Sequence, residues 1–81
     1  MNTYDRLVEI ISEVMGVEPR VITEKTNLFE DLEADSITVL EIVSRIEEKW
    51  KFELTDYPEL LDEIETIQSL TEFLDHCIGV K

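Results

Sequence analysis

Basic residues are scarce in this chain: seven Lys and Arg stand against 20 Asp and Glu, for a net charge of −13 over 81 residues. Nucleic-acid binding rests on Lys and Arg contacts to phosphates, so that class of partner is excluded. An anionic membrane surface is excluded on the same ground. No apolar run approaches the ~20 residues of a membrane-spanning helix, and Leu7-Val8, Ile10-Ile11 and Ile42-Val43 are typical of what there is. Membrane insertion is therefore not expected. The start, Met1-Asn2-Thr3-Tyr4-Asp5, lacks the basic and apolar blocks of a signal peptide. A cytoplasmic location is the expectation. The single cysteine, Cys77, supports no disulfide framework. The single histidine, His76, is its neighbour, which is not metal-ligand spacing, and no second such pair exists. Nothing alternates in the manner of a strand, and no segment repeats.

What is present is helical. Hydrophobic residues make up 43% of the chain, enough for one packed core in one domain spanning residues 1–81. The charge gives solubility and steers the molecule toward basic partners. Tyr4, Leu7, Val8, Ile11, Val14 and Met15 recur at three- and four-residue spacing and predict a helix over 3–15, stopped by Gly16. Residues 16–35 form a connection long enough to be functional in a compact domain. Val17, Val21, Ile22, Leu28, Phe29 and Leu32 are expected to pin it to the core, and Pro19 to start a short helical turn.

A second helix is predicted from Ser36 to Lys49 or Trp50. Val39, Ile42, Val43, Ile46 and Trp50 share its core face. Ile37, Leu40, Glu41, Ser44 and Glu48 form a second stripe, in which Leu40 either widens the core face or belongs to an exposed docking face of mixed character. Asp56, Pro58 and Glu59 mark the start of a short third helix over 57–63 that buries Leu60, Leu61 and Ile64. Thr66 caps a last helix carrying Ile67, Leu70, Phe73, Leu74, Cys77 and Ile78, and Gly79 ends it. The fold class is all-α: a four-helix bundle with three longer helices, one short third helix and a long loop between helices one and two.

Chemistry concentrates at Asp35-Ser36. The simplest reading of Ser36 is a helix-capping hydroxyl, or a solvated serine behind an Asp35 cap. If Asp35 takes the cap, Ser36 points outward at a helix N-terminus, where free amides and the positive end of the dipole suit a phosphodiester. No residue nearby in sequence activates Ser36 as a nucleophile, and His76 is far along the chain. Ser36 is therefore not the catalytic serine of a triad; beside the capping reading it is better read as the substrate of another enzyme, and the chain itself is not expected to be an enzyme. Asp31, Glu33 and Asp35 have the spacing that begins a calcium-binding loop. The Gly that loop needs is replaced by Ser36, and its closing bidentate Glu by Ile42, with Glu41 one residue too early. No metal site is assigned.

Asp31-Leu32, Ala34-Asp35-Ser36, Glu41-Ile42-Val43 and Ile46-Glu47-Glu48, together with Met15-Gly16-Val17 and Thr66-Ile67-Gln68-Ser69-Leu70, resemble the acyl carrier proteins over nearly the whole chain. The resemblance implies that Ser36 carries 4'-phosphopantetheine, transferred from coenzyme A by a phosphopantetheinyl transferase, with Asp35 capping the helix and helping to position that enzyme. It implies that acyl intermediates ride as thioesters on the arm during fatty-acid, lipid or polyketide-type biosynthesis. Glu41, Glu47 and Glu48, with Ile37 and Leu40, would form the docking face for acyl-transferring and acyl-modifying enzymes with basic patches. The core near Val39, Ile46, Leu61 and Ile64 would shelter short or medium chains, and the carrier would act as a monomer.

The chain departs from the family pattern at several positions. Glu33 stands where the family most often has Gly, Ile37 where Leu is usual, and Thr38 where fatty-acid carriers commonly have an acid. Trp50 replaces a more usual Phe, and Arg45, Lys49 and Lys51 bring positive charge to the second helix and its end. These departures set a specialised carrier, for a lipid, polyketide or other secondary pathway, on a level with the housekeeping fatty-acid role. Two other readings stay open: an aminoacyl or peptidyl carrier, usually less acidic, and an acidic helical adaptor with no prosthetic group.

Overall fold

The computed structural model describes residues 2–79. Three α-helices, α1 (Thr3–Met15), α2 (Ser36–Trp50) and α3 (Ile67–Phe73), are joined by stretches that hold short 3₁₀ turns over Pro19–Val21, Leu54–Asp56 and Pro58–Glu63. α1 packs against both α2 and α3, and the turn over Pro58–Glu63 packs against α3. Leu7, Ile11, Leu28, Ile42, Ile46, Leu60, Ile67, Leu70 and Leu74 are wholly buried where these elements meet.

α1 starts where Asn2 accepts the Asp5 amide at 2.8 Å. It stops at Gly16, whose φ of 71° lets its own amide and that of Val17 return to the Ser12 carbonyl at 2.9 and 3.1 Å. A side chain at Gly16 would meet no neighbour within 4 Å, so the need for glycine there is conformational rather than steric.

The connection from α1 to α2 is tied down by hydrogen bonds as much as by apolar contacts. Leu28 N donates to Glu65 O at 2.8 Å, Ile67 N to Thr26 O at 3.1 Å and Gln68 N to Glu24 O at 3.0 Å, so the segment is laced to the start of α3. The Asn27 side chain accepts the amides of Phe29 and Glu30, and Asp31 accepts the Asn27 amide. Ile22 and Leu28 are buried, while Val17 and Leu32 pack partly against the core. Val21 and Phe29, expected to help pin this segment, are exposed instead. The turn over Pro19–Val21 directs Ile22 inward and leaves Val21 outside, and the Asn27-capped turn buries Leu28 while rotating Phe29 outward.

α2 ends at Lys51, in the left-handed region at φ 60°, where the Lys51 and Phe52 amides both return to the Glu47 carbonyl. Its core face is Ile42, Val43 and Ile46, with Val39 and Trp50 partly buried. Where a short α-helix was expected over 57–63, the chain forms the 3₁₀ turn Pro58–Glu63, and Asp56, expected to cap the helix, lies inside the preceding turn, Leu54–Asp56. Pro58 removes an amide and disfavours a helical residue before it, and Tyr57 sits at φ −137°, ψ 65°. The consequence for packing is direct. With three residues per turn, only one side chain in three faces inward. Leu60 is wholly buried and Tyr57 packs its ring edge-on against Phe52 and Phe73, at centroid distances of 5.6 and 6.4 Å. Leu61 is 51% exposed rather than buried, and drops out of the expected lining of an acyl-holding core.

Thr66 and Ser69 cap α3 reciprocally, the Ser69 amide donating to the Thr66 hydroxyl at 3.1 Å. Past Phe73 the helix widens into a π-helical segment over Leu74–Gly79, where a continuous α-helix was expected. The Thr3 hydroxyl donates to the Asp75 carboxylate, which ties the first turn of α1 to this end. Cys77, expected in the core, lies outside the described side chains.

Candidate functional site

Ser36 is the first residue of α2, and its side chain is exposed. The position follows from local chemistry. Ala34 N donates to Leu28 O at 2.9 Å and closes the loop 28–34, which delivers Asp35 in extended conformation at the N-cap. Asp35 Oδ1 then accepts the Thr38 amide at 2.8 Å. That amide first, then the Thr38 hydroxyl, hold the Asp35 carboxyl below the usual aspartate range. Asp35, not Ser36, supplies the cap. The Thr38 amide, which any residue but proline would supply there, and the Thr38 hydroxyl are the partners that hold the capping carboxylate.

Glu33 adopts φ 58°, a left-handed backbone that glycine takes at no steric cost. The loop turns sharply two residues before the cap, and Glu33 makes that turn under strain. Its side chain is exposed.

The first amides of a helix have no intrahelical carbonyl to meet. Asp35 takes the Thr38 amide through its side chain and the Val39 amide through its carbonyl at 2.9 Å. The Ser36 and Ile37 amides lie within the first turn, at the positive end of a 15-residue helix. An outward hydroxyl beside such amides fits a covalently held phosphodiester, which takes both hydrogen bonds and favourable charge there.

The other residues singled out in the sequence divide into two groups. Ile37 is 75% exposed and Leu40 62%, so Leu40 lies on the open face and does not widen the core. Glu41 and Glu48 are exposed on the same helix. Glu47 is half-buried, and its carboxylate accepts the Leu54 amide at 2.6 Å, tying the end of α2 to the turn that follows. Arg45 bridges Glu13 of α1, at 3.1 Å, and Glu41, at 3.4 Å. The Glu41 to Arg45 spacing of four residues is visible in the sequence, but the pairing with Glu13 is not, because it depends on how α1 lies against α2. Asp31 is engaged with the Asn27 amide. Among the described residues, no group of three or more His, Cys, Asp or Glu is placed to hold a metal ion, and no helix is long and apolar enough to cross a membrane.

The family model for the phosphopantetheine attachment site matches residues 5–74, from the first turn of α1 to the end of α3. Such carriers perform no catalysis, hold a 4'-phosphopantetheine group covalently, and work through a phosphopantetheinyl transferase and partner enzymes. With α2, α3, nearly all of α1, the capping Asp35 and the exposed serine inside that match, this chain belongs to the phosphopantetheine-attachment-site family of carriers.

Proposed function

We propose that Ser36 is the attachment residue and that the chain is an acyl carrier, acting as one monomeric domain in the cytoplasm. The carrying observation is the exposed Ser36 hydroxyl at the first position of α2, with the cap already supplied by Asp35. When bound, the arm supplies a terminal thiol that holds cargo as a thioester. The chain's own residues do the rest. The first turn of α2 favours the phosphodiester charge, and Asp35 keeps that turn wound and presents Ser36 to the transferase. The transferase supplies the base and metal. Ile37, Leu40, Glu41 and Glu48 form the surface that partner enzymes meet. Glu47, expected on that surface, contributes by holding the end of α2 in place.

The net charge of −13 favours acyl over aminoacyl or peptidyl cargo. Glu33, Thr38 and Arg45 alter the charge pattern around the serine and favour a specialised pathway of lipid or polyketide type over housekeeping fatty-acid synthesis. The test is intact-mass measurement after incubation with coenzyme A and a transferase. One phosphopantetheine on Ser36, and none on a folded Ser36→Ala variant, is the expected result. Modification mapped to Ser12, Ser44 or Ser69 would refute the assignment. The mass of cargo on protein isolated from its native host then separates acyl from aminoacyl loading.

A further inference from the structure

The groove between α1 and α2 carries a charge arrangement that attachment at Ser36 does not use. Glu9 and Glu13 of α1 and Glu41 and Glu48 of α2 line it, with Arg45 and Lys49 set among them. Arg45 Nη1 donates to Glu13 at 3.1 Å and Nη2 to Glu41 at 3.4 Å. Both pairs are open to water, with side-chain exposures of 41% for Arg45, 60% for Glu13 and 52% for Glu41. Pairs of this kind are weak and exchange readily with another partner. A guanidinium also has more N–H donors than these two bonds occupy, arranged in a planar fork that matches a carboxylate.

Position on the helix gives this pair its meaning. Ile37, Glu41, Ser44 and Glu48 fall on one stripe of α2 at helical spacing. Arg45 lies one residue round from that stripe, on the side that meets Glu13 of α1. The open face beside Ser36 therefore has apolar Ile37 and Leu40, acidic Glu41 and Glu48, and a guanidinium along its α1 edge.

We infer that Arg45 is a specificity-determining residue of this face: it disfavours partner enzymes whose docking patch is uniformly basic, and selects those that set a carboxylate against its guanidinium while placing basic groups over Glu41 and Glu48. The inference rests on the reading of α2 as the surface that partners meet.

Two effects act against a uniformly basic patch. A cation approaching Glu41 comes within a Debye length of Arg45, about 8 Å at physiological salt, so their repulsion is only partly screened. Glu41 is also already paired, and the incoming cation must displace Arg45 before gaining the full attraction. A partner carboxylate on the guanidinium removes both penalties, because it holds Arg45 away from Glu41 and leaves Glu41 free. Mixed patterns of this kind choose partners more than they raise raw affinity. Other occupants fit the groove less well. Four acids repel a phosphate backbone, and a guanidinium in their midst opposes a divalent cation.

The test uses a purified phosphopantetheinyl transferase whose carrier-docking patch is entirely Lys and Arg. One arm titrates the unmodified chain against a catalytically inactive form of that transferase. The second measures modification with coenzyme A. Arg45→Gln should bind about two- to fivefold more tightly than the natural chain at low ionic strength, the size expected of one exposed like-charge contact. The gain should fall in KM rather than in kcat, and should shrink as salt rises. Arg45→Lys, which keeps the charge, should stay near the natural chain. Single Lys or Arg to Glu changes across the transferase patch should include one that the natural chain tolerates better than Arg45→Gln does.

Equal or weaker binding by Arg45→Gln, with its melting temperature retained, overturns the inference. So does a transferase scan in which no introduced carboxylate favours the natural chain. If modification fails or maps away from Ser36, the attachment reading falls, while the titration arm still decides the role of Arg45.

Discussion

Two connections flank α2, and they are held by different forces. The stretch before it, residues 16–35, is laced by backbone hydrogen bonds to the start of α3 and internally by the side chains of Asn27 and Asp31. The stretch after it, residues 51–66, is tied at its start by the Glu47 to Leu54 bond and at its end by the Glu63 and Glu65 carbonyls, which accept from Ser69 and Leu28, while its middle relies on the buried side chains of Leu60 and Ile64 and the edge-on contacts of Tyr57. The second stretch is also rich in acids and, past Lys51, has no Lys or Arg to answer them. The approach to Ser36 is thus fixed by directional bonds that resist local distortion. Between its tied ends, the return toward α3 is fixed mainly by burial, which holds only while the segment stays docked against a strong charge of one sign.

The sharpest break in this contrast is at Leu60, wholly buried among its neighbours. Leu60→Ala should cost about 2–5 kcal/mol, a large share of the stability of so small a domain. Hydrogen exchange should show amides of 54–63 opening well before those of 27–39. Equal loosening of both stretches would show that they melt as one unit.

The matching cut on the other side is Asn27→Ala, which leaves the Phe29 and Glu30 amides without their acceptor. The expected cost is about 1 kcal/mol, read by urea unfolding. Because the loop closes directly onto Asp35, the KM of a transferase for this variant should rise, whereas a change of equal cost in 51–66 should leave it alone.

Glu33→Gly probes strain rather than bonds. It releases a left-handed residue, worth about 1 kcal/mol, against the roughly 0.5–1 kcal/mol by which glycine loosens the unfolded chain. A gain of a few tenths of a kcal/mol is expected, resolved by the denaturation midpoint with an unchanged slope.

The smallest effect is confined to acid. The Asp35 carboxyl is held below the usual range by bonds that need its charge. Its contribution is therefore complete above the ordinary aspartate pKa and is lost as pH falls through the lower, folded value. The melting-temperature gap between the natural chain and Asp35→Asn should be steady near neutrality and close only in that acid window. A gap that closes near neutral pH would assign the effect to another group.

Much of the site was legible in the sequence because it is local. A cap, the residue after it and the helix they start lie within one turn of chain. The limits of α1 and α2 follow from spacing and capping chemistry alone; that chemistry narrows the cap to Asp35 or Ser36, and the structure gives it to Asp35. The Thr66 cap was equally readable, as was the exposure of Ile37 once Ser36 was set at the helix start. The residues that went elsewhere depend on neighbours distant in sequence or on a change of helical pitch. Val21 and Phe29 are as apolar as Ile22 and Leu28, and only the bonds from Asn27 and the packing of the 16–35 segment choose which of each pair turns inward. Leu61 faces outward because Pro58 forces a three-residue turn, in which adjacent leucines cannot share a face. Glu47 looks like another surface acid until the chain after α2 folds back and offers the Leu54 amide. Arg45 meets Glu13 only because α1 lies beside α2. Sequence settles what a residue does within one turn of helix, where geometry is repetitive. Tertiary structure decides which side of each connection is buried and which charges meet across helices, because those depend on contacts that no local periodicity encodes.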